Sequence, residues 1–285
     1  MFGRVGARTA WNVLNWANDL LKDRAPGIRR TIKRLAAPWL RADTRVRIPK
    51  RVAGHLIWTQ PRLLTSDLPE EHIVRWAFQA LPRGGTFFDV GAHYGWISTL
   101  AAIHVGSAGQ VVSFEPSPVL VDILELHRRA NRLSQMQIVR AAISNTEDPE
   151  SSFFLINEGL SSRNSLTIGA DDVPYIDREN KTQMRVRSLT LDGFARSSGT
   201  VPNLIKIDVE GAELLVLEGA QELLAAHHPD LIVGVHPFWL PPSHSVDQIF
   251  RFLRNFDYEI IESHKVEFQA SYIADYFCRY RPTPN

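Results

Sequence analysis

Asp89, Glu115, Asp208 and His236 lie at or beside the ends of short, mostly apolar runs: Thr86 to Val90, Gln110 to Glu115, Asn203 to Asp208 and Leu231 to His236. Runs of this length bounded by turn-forming residues read as buried strands. Three acids and an imidazole at successive strand ends are a place for chemistry, because open parallel sheets bind ligands outside the carboxyl ends of their strands. The turn after the first run, Gly91-Ala92-His93-Tyr94-Gly95, has two glycines that let the backbone bend tightly and approach a ligand. A dinucleotide site would need Gly-x-Gly-x-x-Gly and would seat its diphosphate on the following helix. Here the spacing is Gly-x-x-x-Gly, and Asp89 precedes the first glycine by two residues. A carboxylate there repels a diphosphate and suits an ammonium group. Glu115, ending the second run, can accept both hydroxyls of a ribose through its two oxygens. An ammonium beside one strand and a ribose beside the next describe S-adenosylmethionine, whose sulfonium also tolerates an acidic site.

The elements that must position these residues follow from the punctuation. Strands are expected at Thr86–Val90, Gln110–Glu115, Met136–Ala141, Asn203–Asp208, Leu231–His236, Tyr258–Glu262 and Tyr272–Cys278. Helices are expected after Gly95 to about Ile103, at Pro118–Asn131, Glu210 to about Ala226 and Val246–Asn255, with one near Glu70–Ala80 in the lead-in. Leu214, Leu217 and Leu224 form the apolar stripe of the third of these. Strands alternating with helices predict a parallel sheet covered on both faces. Residues 145–188 break the alternation and read as an inserted hairpin and loop over the sheet edge.

The composition fits a globular chain: 285 residues, 44% hydrophobic and 22% charged, with one cysteine. It excludes a disulfide scaffold and a disordered or collagen-like chain. Cys278 can form no internal disulfide, which favours a reducing, cytoplasmic setting. The net charge of +1 conceals an asymmetry. Residues 1–51 carry 13 Lys or Arg against Asp19, Asp23 and Asp43, whereas the remainder is acidic. The chain therefore divides into a basic arm, residues 1–50, and a catalytic domain, residues 51–285. Two helices are expected in the arm, with Trp11, Leu14, Ala17 and Leu21 on one stripe and Ile28, Ile32, Leu35 and Trp39 on the other. Basic residues flanking a tryptophan-bearing stripe suit the anionic inner face of a membrane, and equally a stripe that docks on the body. Nothing in the body stacks bases between cations, so nucleic acid is not expected as a partner.

The run Leu204-Ile205-Lys206-Ile207-Asp208-Val209-Glu210-Gly211-Ala212-Glu213, with Val216-Leu217-Glu218-Gly219, resembles the hallmark of the FkbM family of methyltransferases. Phe88 to Gly95 resembles that family's first cofactor motif and Val112 to Pro116 its second. Ser188-Leu189-Thr190-Leu191-Asp192 resembles the segment before the hallmark strand. The resemblance implies a class I methyltransferase Rossmann-like sandwich: a mostly parallel seven-stranded sheet with helices on both faces. It implies S-adenosylmethionine as cofactor, held by Asp89, Gly91, His93, Gly95, Glu115, Pro116, Ala142 and Asp208. The acceptor it implies is a hydroxyl of a glycan, glycolipid or secondary metabolite. Two positions depart from the pattern: His93 stands where asparagine is common, and Gly234 where many members carry an acid.

Methyl transfer to oxygen needs in-line alignment and removal of a hydroxyl proton. Asp208 is the first candidate for the base or acceptor-orienting group and His236 the second. Lys206 reads as an ion-pair partner. Asp208 and Glu210 are two residues apart, but no third ligand is evident at metal spacing, so no metal is expected. Acceptor contacts are expected from the 145–188 insertion, including Ser161 to Ser165, and from Pro237-Phe238-Trp239-Leu240-Pro241. The competing readings are a nicotinamide-dependent oxidoreductase, disfavoured by Asp89 and the glycine spacing, and a catalytically inactive membrane-associated binding protein of the same fold.

Overall fold

The computed structural model describes residues 47–63, 66, 68–156, 164–166, 181–268 and 271–282. Both arm helices and the Ser161-Ser162-Arg163 cluster lie outside these. The chain divides into two compact units, Met1–Leu68 and Pro69–Asn285.

In the first unit, β1 (Ile48–Val52) and β2 (His55–Thr59) form an antiparallel hairpin. Ala53 and Gly54 turn it, both at positive φ (44° and 82°), as a two-residue hairpin turn requires. The hairpin was not expected, and the arm boundary placed at residue 50 falls inside β1.

The second unit opens with α1 (Glu71–Ala80) and then alternates: β3 (Thr86–Val90), α2 (Trp96–Val105), β4 (Gln110–Phe114), α3 (Pro118–Ala130) and β5 (Met136–Val139). The insertion supplies β6 (Ala142–Ile143), β7 (Asp148–Ile156) and β8 (Lys181–Leu189). Alternation resumes with α4 (Leu191–Ser198), β9 (Leu204–Ile207), α5 (Glu213–Glu218), α6 (Gln221–His227), β10 (Asp230–Val235) and α7 (Val246–Asn255). The unit closes with β11 (Tyr258–Phe268) and β12 (Ser271–Tyr280).

The main sheet has seven strands in the order β11-β12-β10-β9-β3-β4-β5. β5, β4, β3, β9 and β10 are mutually parallel, and β12 runs antiparallel between β10 and β11. From β3 the chain builds outward to β5, then returns to β9 on the other side of β3. This reversal between β3 and β9 opens a crevice at their carboxyl ends. Strands covered on both faces are buried and mainly apolar: all four residues of β9 are buried, as are the last four of β3 and β4, with Asp89, Ser113 and Lys206 the polar ones among them. Phe88, Val90, Phe114, Ile205, Ile207 and Val233 pack on one face with residues of α4 to α7. α1 and α2 pack on the other, where the Trp76 and Phe277 rings stack at 6.0 Å.

The insertion forms a three-stranded sheet, β6-β8-β7, with β6 parallel and β7 antiparallel to β8. The single helix expected over 210–226 is instead two, α5 and α6. A β-carbon at Gly219 would lie 2.1 Å from the Ser144 carbonyl oxygen, so backbone passes backbone there. α6 begins afresh, capped by Asp192, whose carboxylate accepts the Glu222 and Leu223 N–H groups at 2.9 and 3.0 Å. Among the described residues no helix is long and apolar enough to cross a membrane.

Candidate functional site

A cavity of about 670 Å³, counting its open mouth, lies at the carboxyl ends of β3, β4 and β9. Gly91, His93, Glu115, Pro116, Ala142 and Asp208 line it, six of the expected site residues, together with Glu210. Phe153, Asn164 and Leu166 line it from the insertion, and Val90, Phe114, Leu120, Ala141 and Ile143 complete an apolar wall.

The β3 turn is compelled to carry glycine. Gly91 has φ 79°, and a β-carbon on it would lie 2.0 Å from the Asp208 carbonyl oxygen. Gly95, φ 76°, would strike Leu124 Cδ2 at 2.3 Å; it caps α2 from behind the cavity rather than lining it. His93 has φ 51°, a left-handed conformation in which asparagine and histidine are both enriched. The Glu115 carboxylate is clamped by backbone: its Oε2 accepts the His93 N–H at 2.9 Å and its Oε1 the Ser117 N–H at 3.0 Å. Burial pushes Glu115 up to about 7, with those two hydrogen bonds opposing.

Asp89 corrects one expectation. It is fully buried, not on the cavity wall: its Oδ2 accepts the Ser98 hydroxyl, and its Oδ1 lies 3.6 Å from Lys206 Nζ. Ser113 donates in turn to Ser98 at 2.8 Å. The carboxylate turns into the sheet because Lys206, its register partner on β9, needs a counter-charge there. Lys206 is thus the expected ion-pair partner, and also binds Asp208 Oδ2 at 3.0 Å.

Around Asp208 the structure gathers charges from four elements. His236 Nε2 lies 3.7 Å from Asp208 Oδ1 and 3.8 Å from Glu210 Oε2, and its Nδ1 lies 2.9 Å from Glu213 Oε1. Burial would lower the His236 pKa, yet Glu210, Glu213 and Asp208 together raise it to about 10. Burial would raise the Asp208 pKa, but Lys206 and His236 hold it below the usual carboxylate range. An imidazole protonated at neutral pH cannot accept a hydroxyl proton, so the alternative base role expected of His236 does not fit this state. Asp208 is an ionised acceptor of hydrogen bonds, and its low pKa makes it a weak base.

Across β10, a β-carbon at Gly234 would lie 3.2 Å from Asp275 Oδ1 and 3.4 Å from Asp208 Oδ1. The acid absent from β10 is thus replaced in space by Asp275 from β12, which accepts from His72 Nε2 at 2.8 Å. Burial, then Asp208, pushes Asp275 up to about 6. Asp275, His72 and Glu213 escaped the sequence reading as site residues; Glu213 lies within the hallmark run, but the other two carry no local motif. In the Pro237–Pro241 loop, Trp239 is buried and its N–H donates to the His236 carbonyl at 2.9 Å. The insertion does reach the cavity, as expected of an acceptor-contacting segment, through Phe153, Asn164 and Leu166.

The strand order, the reversal beside β3 and the acid-ended strands define a class I, Rossmann-like methyltransferase fold. The sequence of residues 89–260 matches the methyltransferase FkbM domain, and the chain belongs to that family. S-adenosylmethionine is the methyl donor of this enzyme class. Among solved structures, the chain is similar to a methyltransferase FkbM from Methylobacillus flagellatus, with 16% identity over 67% of this chain and a TM-score of 0.43. The match spans 43% of that protein's length. It is also similar to an S-adenosylmethionine-dependent methyltransferase from Aquifex aeolicus, with 13% identity over 73% of this chain and 88% of the other and a TM-score of 0.40. A tRNA methyltransferase from Bacillus subtilis is similar at 12% identity over 75% and 68% of the two chains, with a TM-score of 0.43. No curated protein matches the chain in sequence.

The residues present fit the cofactor. Each Glu115 oxygen accepts one backbone N–H and keeps a lone pair for a further donor, and Gly91 holds open a cradle that a β-carbon would fill.

Proposed function

We propose that this methyltransferase transfers the methyl group to a hydroxyl oxygen of a small polar acceptor: a glycan, a glycolipid or a secondary metabolite. The observation that carries this reading is Asp208, a carboxylate lining the cavity, 41% exposed, with Oδ2 fixed by Lys206 at 3.0 Å and Oδ1 3.7 Å from His236 Nε2. A carboxylate so held accepts a hydrogen bond from a hydroxyl and aims the oxygen's remaining lone pair.

When bound, S-adenosylmethionine supplies a methyl carbon already activated by its sulfonium. In this reading Glu115 accepts the ribose hydroxyls, and Pro116, Ala141, Ala142 and Ile143 close on the adenine. Gly91 and His93 bring their backbone to the methionine end. Asp89 acts from beneath by holding Lys206, which sets the direction of Asp208. Asp208 orients the acceptor hydroxyl and receives its proton late, as charge leaves the oxygen. Phe153, Asn164 and Leu166 exclude water from the cavity and meet the acceptor. Residues 1–50 bring the enzyme to an anionic lipid surface, a role supported by their charge and by their tryptophan-bearing stripes.

The test is incubation with methyl-labelled S-adenosylmethionine and separate pools of neutral glycosides, glycolipids and RNA. Label in a methyl ether, stable to mild base, is the expected product. Label only in RNA, or only on nitrogen, would overturn the reading. Sedimentation with anionic vesicles, lost on deleting residues 1–50, checks the arm; wild-type protein that ignores such vesicles removes that part.

A further inference from the structure

His236 is set among three carboxylates. Its Nδ1 lies 2.9 Å from Oε1 of Glu213, a fully buried carboxylate that is also fixed by the Gly211 N–H at 3.0 Å. A carboxylate can only accept, so Nδ1 carries the hydrogen and Nε2 points the other way. There it meets two more carboxylate oxygens, Asp208 Oδ1 at 3.7 Å and Glu210 Oε2 at 3.8 Å. Nε2 therefore needs a cation beside it: the second proton of the imidazolium described above, or a metal ion shared by the three atoms. An imidazole whose far nitrogen donates to a buried carboxylate is also the usual second-shell arrangement of a metal-binding histidine.

We propose that Asp208, Glu210 and His236 bind one divalent first-row transition-metal ion at the edge of the cofactor cavity. Their donor atoms all lie within 4.8 Å of one another. Bonds of about 2.1 Å in a tetrahedron would set them about 3.4 Å apart, so the two histidine–carboxylate pairs, at 3.7 and 3.8 Å, each need to close by only a few tenths of an ångström. The backbone is prepared for it. Glu210 is held at φ 52°, a left-handed conformation unfavourable for glutamate, and its carbonyl accepts the Ser165 hydroxyl at 2.9 Å. Lys206 occupies Asp208 Oδ2, leaving Oδ1 for the ion. Asp208 is 41% exposed, so the site is reachable from the cavity. One imidazole with two carboxylates suits manganese, iron or zinc better than magnesium or calcium, which prefer oxygen alone. Three protein ligands leave positions open toward the cavity, where a hydroxyl oxygen could bind and become more acidic. That use rests on the hydroxyl-acceptor reading above; binding of the ion does not.

A second cluster, His72, His264 and Asp275, also brings three such groups together. Its two imidazoles stack at 4.0 Å with 22° between their planes. In-plane lone pairs of stacked rings do not converge on one ion, so this cluster serves as the control.

The experiment uses the full chain, stripped with chelator and titrated with Mn²⁺ while the free ion is followed by electron paramagnetic resonance; Zn²⁺ is measured in parallel by mass spectrometry after dialysis. Roughly one ion per chain is expected. Glu210→Gln and His236→Gln should each weaken binding at least about tenfold, and Glu213→Gln about 10- to 100-fold, as second-shell losses do. His264→Ala should leave the titration unchanged, as should Glu115→Gln, which instead weakens S-adenosylmethionine. Circular dichroism melts confirm that each variant is folded; Glu210→Gln, isosteric and at the cavity edge, keeps the test open if His236→Gln fails to fold. No stoichiometric binding at millimolar Mn²⁺ or Zn²⁺ would overturn the proposal and leave a proton as the cation at Nε2. Binding that survives Glu210→Gln and His236→Gln but not His264→Ala would overturn it equally.

Discussion

The two halves of the cavity rim are built from different materials. At the ends of β3 and β4 the wall is backbone and apolar surface: a glycine turn, Pro116, Ala142 and one carboxylate clamped by two N–H groups. At the ends of β9 and β10 it is a web of charges, with Lys206 and His236 set among Asp89, Asp208, Glu210 and Glu213. In the first half the one carboxylate is fixed by backbone N–H groups rather than by other charged side chains. In the second, each group sets the ionisation and direction of the next, so changes there should be strongly non-additive.

Four changes sharpen or break this contrast. The largest effect is expected from Asp208→Asn on the charged side: methyl transfer reduced about 100-fold or more, with the S-adenosylmethionine dissociation constant little changed by calorimetry. Near-normal turnover would erase the division of labour. Next is Gly91→Ala on the backbone side, where the new β-carbon strikes the Asp208 carbonyl oxygen. A loss of about 2–4 kcal/mol in stability is expected from urea unfolding, and an undiminished midpoint would show that the turn can move. Glu115→Ala should cost about 1.5–3 kcal/mol of cofactor binding, with the melt of the free protein much less affected.

The smallest effect is a pH dependence. The free protein holds the Glu115 pKa near 7, above its ordinary value of 4.5, whereas ribose hydroxyls need the ionised carboxylate. Affinity should therefore fall as pH drops below 7, by up to about tenfold per unit, and be flat above 8. Binding should release protons, which calorimetry in buffers of different ionisation enthalpy reads directly. The same raised pKa favours the folded state while the group is protonated, so Glu115's contribution to apo stability is lost as pH rises from about 4.5 through 7. Glu115→Gln should flatten both profiles.

Much of the fold was legible because buried parallel strands are short apolar runs bounded by turns. β3 and α7 were placed to the residue, and all seven strands of the main sheet were found, with β11 running six residues beyond its expected end. The break at Gly219 was missed because its cause is the Ser144 carbonyl, distant in sequence. The β1–β2 hairpin was missed because Ala53-Gly54 is a weak turn signal. The glycine turn and Glu115 were placed at the β3 and β4 ends from sequence alone, since local backbone sets both positions. Asp89 was named correctly as an acid at the right strand end, but its direction was misread.

By itself, the sequence determined the family, the order of the strands along the chain and the carboxylates at their ends, because these depend on periodicity and on motifs read within a few residues. Tertiary structure alone decided which charges face one another. It turned Asp89 toward Lys206, brought Asp275 over Gly234, and set His236 against Asp208, Glu210 and Glu213. The reason is physical: Coulomb energies and pKa values depend on distances of 3–4 Å in a low-dielectric interior, and strand pairing fixes those distances between residues far apart in the chain.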